Sequence, residues 1–137
     1  MTIIALDVGT VRVGCAVADA SVQIPFPVAV WPRAKGHAER ELLHLLEERK
    51  PQLLVVGLPL DEHGHRTPIC ETIEGFIRRI AKRATIKIVY VDEAFSSVEA
   101  TQRAIQGSSS SKEVDAFAAC LILERYFESL TASSPKL

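Results

Sequence analysis

Asp7 follows the apolar run Ile3-Ile4-Ala5-Leu6 and precedes Val8 and Gly9, which places a carboxylate where a buried strand meets a glycine turn. A charge in that position costs free energy unless it is paired, solvated or bound to a cation. Two further acids stand in comparable places. Glu93 ends the run Ile86-Lys87-Ile88-Val89-Tyr90-Val91-Asp92, and Asp115 lies near the start of an alanine-rich stretch of helical spacing. Three carboxylates from distant segments suit a Mg²⁺ or Mn²⁺ site, because these hard ions take oxygen ligands. Each acid also has an ordinary reading. Asp7 could cap the turn, Glu93 beside Asp92 could be solvated at a strand end, and Asp115 could complement the dipole of a helix N-terminus. Their joint placement is what points to a cation.

Those acids need a frame that brings them together. The β-branched arms at 2–8 and 12–19 predict a hairpin around Gly9-Thr10-Val11-Arg12. A short strand at 27–31 is bounded by Pro25, Pro27 and Pro32, which suits the periphery of a sheet. Ala38, Leu42, Leu45, Leu46 and Arg49 recur at helical spacing within 36–50, and Pro51 stops that helix. Residues 53–57 are wholly apolar, as in a strand buried on both faces of a parallel sheet. After the polar loop 59–67 comes a helix with Thr67 as N-cap, Pro68 at its first position and a stripe of Ile69, Ile73, Phe76, Ile77 and Ile80. A strand at 86–91 follows, then a short helix from Ser96 or Ser97 through Ile105 and a serine-rich loop. The last helix runs from 112 to about 129 with Val114, Phe117, Ala118, Leu121 and Ile122 inward.

This order predicts an α/β domain with a mixed five-stranded sheet flanked by helices. Sites in open α/β sheets gather at the carboxyl ends of parallel strands, where Asp7 and Glu93 both fall. Ala116, Ala118 and Ala119 let the last helix lie close to the sheet and carry Asp115 to the same place. The length of 137 residues matches a single domain over 1–130, with 131–137 as a loose tail.

A net charge of −1 argues against a generic nucleic-acid binder, since such domains are usually basic. The distribution is less neutral than the total. Arg78, Arg79, Lys82, Arg83 and Lys87 fall together, with Arg78/Lys82 and Arg79/Arg83 at i,i+4. They read as a solvated helix face or as a phosphate-contacting face. His63 and His65 lack further nitrogen or sulfur ligands at zinc spacing and read as surface residues. Cys15, Cys70 and Cys120 show no CxxC spacing, as expected of reduced, partly buried thiols in the cytoplasm. The N-terminal apolar run is too short for a signal peptide, and no stretch has the ~18 apolar residues of a membrane span.

Four blocks then carry a family resemblance. They run from Leu6 to Asp19 (with Asp7, Gly9, Arg12 and Gly14), from Val56 to Gly64 (opening Val56-Gly57-Leu58-Pro59), from Asp92 to Ala100 (opening Asp92-Glu93-Ala94-Phe95-Ser96-Ser97) and from Val114 to Leu123 (opening Val114-Asp115-Ala116-Phe117-Ala118-Ala119). In this order they resemble the YqgF/RuvX family of Holliday-junction resolvases, which have an RNase H-like fold related to RuvC. The resemblance covers the chain from Ile3 to about Phe127. It implies metal-dependent cleavage of nucleic-acid phosphodiesters, with Asp7, Glu93 and Asp115 as catalytic residues and ligands of Mg²⁺ or Mn²⁺. It also implies a substrate that is four-way junction DNA, structured precursor rRNA cut at the 5′ end of 16S rRNA, or both. A junction needs two symmetric nicks, so a homodimer is expected.

On the same resemblance, Ser96 and Ser97 stand where the family has a threonine pair and keep hydroxyls that could hold a phosphate. Arg12, just after the turn, reads as orienting a phosphate or as an ordinary hairpin surface charge, and Arg78, Arg79, Lys82 and Arg83 are nucleic-acid contacts if theirs is the phosphate-contacting face. Ala94 departs from the pattern, replacing an arginine that would grip phosphate. That departure leaves a second reading open, a non-catalytic adaptor on nucleic acid or the transcription machinery. The first hairpin also resembles the phosphate hairpin of actin-like kinases, which close two such domains around a nucleotide.

Overall fold

The computed structural model describes residues 1–92 and 111–133, with side chains over 1–92 and 116–131. Strands β1 (Thr2–Val8) and β2 (Arg12–Asp19) form the expected antiparallel hairpin, with Asp7 directly opposite Gly14. β3 (Phe26–Pro32) pairs antiparallel with β2 and is the edge strand that its prolines predict. Helix α1 (His37–Arg49) leads to β4 (Leu53–Leu58), which lies parallel to β1. Helix α2 (Pro68–Ala81) leads to β5 (Lys87–Asp92), parallel to β4, and the helix at Ser111–Ser133 is α3. The sheet order is β3-β2-β1-β4-β5.

Alternation along the strands decides which layer each side chain joins. Ile4, Leu6 and Val8 pack with Leu42, Leu46, Ile73 and Phe76 of α1 and α2. Ile3 and Ala5 pack on the other face, with Ala119, Ile122, Leu123 and Phe127 of α3. Of the helix alanines expected against the sheet, Ala119 joins this cluster, where the strands offer Ala5, Ala16 and Ala18, while Ala118 packs apart from it with Leu121 and Phe117. Helix α3 crosses the sheet and touches all five strands.

Several local expectations differ from the structure. Arg49 completes a helical row but is exposed, because the row curls away from the sheet by the last turn of α1. Cys70 is buried where Ile69 was expected to be, and Phe117 is only half-buried while Ala119, Cys120 and Leu123 are buried. Thr67 occupies the N-cap position without a side-chain cap bond; its hydroxyl instead donates to the Pro59 carbonyl at 2.6 Å, closing the 59–67 loop. Helix α3 continues to Ser133, past the expected end, and residues 134–137 of the expected tail lie outside the described residues. The expected helix from Ser96 or Ser97 to Ile105 lies outside them as well.

All three cysteines are buried and none forms a disulfide, and burial pushes the Cys15 thiol up to about 12. Such thiols are poor nucleophiles and structural in character. Among the described residues no helix is long and apolar enough to cross a membrane.

Candidate functional site

β1, β4 and β5 run parallel, so their carboxyl ends share one edge of the sheet. The turn after β1, the loop after β4 and the end of β3 all collect there. Asp7 sits on this edge, half-buried, in the alternation row of Ile3 and Ala5 that faces α3. Its cross-strand neighbour is Gly14, which carries no side chain. A cavity of about 220 Å³ is lined by Asp7, Gly9, Thr10, Val11 and Arg12. Arg12 lies two residues before Gly14 in β2, so alternation sets it on the same face as Asp7.

The turn itself is tight. The Gly9 amide donates to the Arg12 carbonyl at 2.8 Å, and a Cβ on Gly9 would stand 2.9 Å from that same oxygen. Only glycine fits so close an approach without moving backbone.

Position 115 lies four residues before Ala119 and seven before Ile122, in the row of α3 that packs on Ile3 and Ala5. Its backbone is described and its side chain is not. β5 ends at Asp92, whose carbonyl accepts a 2.8 Å bond from Arg125 of α3. Glu93, Ala94, Ser96 and Ser97 lie outside the described residues. The structure therefore brings together Asp7 and Arg12 and sets position 115 on the helix row facing the same layer.

The basic cluster is elsewhere. Arg78, Arg79, Lys82 and Arg83 are exposed at the C-terminal end of α2, in the layer away from α3 and near the amino ends of the parallel strands. Arg79 is engaged with Glu39 of α1 at 2.7 Å. Exposed pairs of this kind contribute about 0.2–1 kcal/mol.

His63 and His65 are exposed on the 59–67 loop, where Asp61 accepts both of their backbone amides. Among the described residues no three His, Cys, Asp or Glu side chains form a metal-holding group.

Sequence reasoning missed Arg33. Immediately after β3, its amide donates to the Val11 carbonyl at 2.8 Å and its Nη1 to the Gly9 carbonyl at 3.0 Å. No local pattern signals this, because the turn and the arginine are joined only by strand pairing.

The profile of the family described as "RuvX: Holliday junction resolvase" matches residues 1–129. The chain belongs to the RuvX family. A relative from Clavibacter sepedonicus is 39% identical over 95% of this chain and 84% of its own. One from Paraburkholderia phymatum is 31% identical over 98% of this chain and 89% of its own. Both bear the name "Putative pre-16S rRNA nuclease". Among solved structures, Thermus thermophilus RuvC in complex with a Holliday junction superposes with a TM-score of 0.59. That match has 15% identity and covers 100% of this chain and 99% of RuvC. The Fowlpox virus resolvase, also complexed with junction DNA, gives 0.54 at 18% identity, covering 95% and 99% of the two chains. These likenesses establish the resolvase-type, RNase H-like fold for this RuvX chain. The expected mixed five-stranded sheet flanked by helices is the observed one.

Proposed function

We propose that this protein is a divalent-cation-dependent endonuclease that hydrolyses phosphodiester bonds in four-way junction DNA or in the precursor of 16S rRNA, with Asp7, Glu93 and Asp115 as the cation ligands. One observation supports this most. In a chain of the RuvX family, Asp7 is held half-buried at the carboxyl end of β1, lining a cavity with Arg12 on the face that α3 covers.

The residues fit such a cation. Asp7 lines the cavity at the Gly9–Arg12 turn, and the carboxylates of Asp7, Glu93 and Asp115 would make an all-oxygen donor set suited to Mg²⁺ or Mn²⁺. Bound there, the cation supplies the positive charge that activates a water and stabilises the leaving oxygen. The chain's own work is positioning. Asp7 fixes one ligand atom on a strand rather than on a loop. Arg12 offers a guanidinium to a non-bridging phosphate oxygen at the mouth of the same cavity. Ser96 and Ser97 are proposed as further phosphate contacts.

Cleavage of labelled junction DNA and of precursor rRNA, each with Mg²⁺ and with Mn²⁺, tests the reading. Cuts that depend on the cation support it. Tight binding without cuts would favour the adaptor reading that Ala94 keeps open.

The basic cluster, on the far layer from Asp7, is proposed as a remote phosphate contact acting through counterion release. Changing Arg79 and Arg83 to Ala is then expected to flatten the negative slope of log affinity against log salt, making it less steep by roughly 2. An unchanged slope in a salt titration assigns these residues to a solvated face.

A homodimer is proposed on the symmetry of a junction, which needs two nicks from a chain that carries one site. Sedimentation in the presence of junction DNA should show two chains per junction; a monomer that makes paired cuts contradicts this. Three buried cysteines outside any disulfide suit a reducing compartment, and the cytoplasm is proposed as the location.

Ala94→Arg is expected to raise the rate about tenfold. A guanidinium beside Glu93 would restore the family's phosphate donor, and ~1.4 kcal/mol realised only in the transition state is one decade. Single-turnover rates at saturating enzyme and fixed Mn²⁺ check it. No change would mean that another arginine already makes the contact.

A further inference from the structure

The Gly9–Arg12 turn is braced from behind. Arg33 follows the last residue of β3, and because Pro32 pairs with Arg12, the chain delivers Arg33 directly beside the turn. Its backbone amide takes the Val11 carbonyl and its Nη1 takes the Gly9 carbonyl. The guanidinium carbon lies 5.2 Å from the centre of the Phe76 ring, in the layer of α1 and α2. Asp7 faces the opposite layer. The turn is thus fixed on one side by Arg33 and presents its other side to the cavity that Asp7 and Arg12 line.

We propose that Arg33 is a positioning residue for cleavage: it holds the Gly9 and Val11 carbonyls, and so sets the wall of the Asp7 cavity and the reach of Arg12. This role rests on the nuclease reading above. Arginine suits it better than lysine, since its planar fork donates to a carbonyl while its face lies on an aromatic ring. Partial burial and the nearby Arg79 charge lower the Arg33 pKa from its usual value, Glu39 on α1 offsets part of this, and half-burial raises the demand for fixed hydrogen-bond partners. A displaced wall costs rate rather than affinity, because a misplacement of about 1 Å in a site can cost roughly 100-fold.

The test compares Arg33→Met and Arg33→Lys with the parent in two measurements. The first is the single-turnover cleavage rate at saturating enzyme, set against the Kd for the same substrate without divalent cation. The second is amide hydrogen exchange at Gly9, set against Val55 in the centre of β4. For Arg33→Met the rate should fall between about tenfold and about 100-fold with Kd nearly unchanged. Exchange at Gly9 should accelerate while Val55 keeps its protection, and added guanidinium ion at a non-denaturing concentration should restore part of the rate. Arg33→Lys should recover only a fraction of the parent rate.

A parent-like rate in Arg33→Met overturns the positioning role. So does a rate loss accompanied by equal loosening at Gly9 and Val55, which marks general destabilisation. Failure of the nuclease reading shows itself separately: the parent protein then cuts neither substrate, before any variant is compared.

Discussion

Asp7→Asn is expected to lower cleavage by at least about 100-fold while nucleic-acid binding persists. The amide has the shape of the carboxylate, so the cavity shared with Gly9, Thr10, Val11 and Arg12 should keep its walls. What changes is charge. A neutral amide offers one oxygen and no net attraction, and a hard divalent ion loses its strand-borne ligand. The fold should survive, since removing a charge from a half-buried position carries no desolvation penalty of its own. Cleavage of labelled junction DNA in Mn²⁺, read beside gel-shift affinity and circular dichroism, decides the matter. Activity within a few-fold of the parent would falsify the assignment of Asp7.

Phe76→Ala is expected to cost about 3–5 kcal/mol of stability, the usual range for emptying a large aromatic site in a core. The ring is 1% exposed and packs in the cluster that joins α1 and α2 to Ile4, Leu6 and Val8 of β1. It also lies under the Arg33 guanidinium, a contact worth about 0.5–2 kcal/mol depending on its exposure to water. Against a typical total of about 5–15 kcal/mol, that loss leaves a protein near its threshold. Denaturant unfolding should show a lower midpoint with an unchanged slope. Phe76→Leu keeps most of the apolar volume and should lose much less. A cost below about 1 kcal/mol for Phe76→Ala would mean that α2 can collapse onto the vacated space.

Local signals located most of the frame. The arms of the first hairpin were legible at 2–8 and 12–19 because β-branched residues flank a glycine turn, and they are strands over those residues. Prolines 25, 27 and 32 marked an edge strand because proline cannot donate to a ladder, and β3 is an edge. The run at 53–57 is hydrophobic throughout because β4 is covered on both faces. Asp7 could be singled out for the same reason, as a charge that an apolar strand would not carry without a use.

Other features had no local signature. Arg49 satisfies a helical row as well as Leu45 does, yet it is exposed, because the direction in which α1 meets the sheet is set by its partners. Thr67 has the type and position of a cap, but the Pro59 carbonyl competes for its hydroxyl and holds it. By itself the sequence determined the order and type of the described elements, the edge position of β3 and the carboxylate proposed as the centre of the site. Tertiary structure alone decided that Gly14 stands opposite Asp7, that Ala5, Ala16 and Ala18 share a cluster with Ala119 of α3, that the basic cluster lies on the far layer, and that Arg33 braces the turn. The physical reason is range. Periodicity, turn chemistry and the cost of a buried charge act between near neighbours, whereas facing residues and shared layers depend on strand pairings that join positions far apart in the chain.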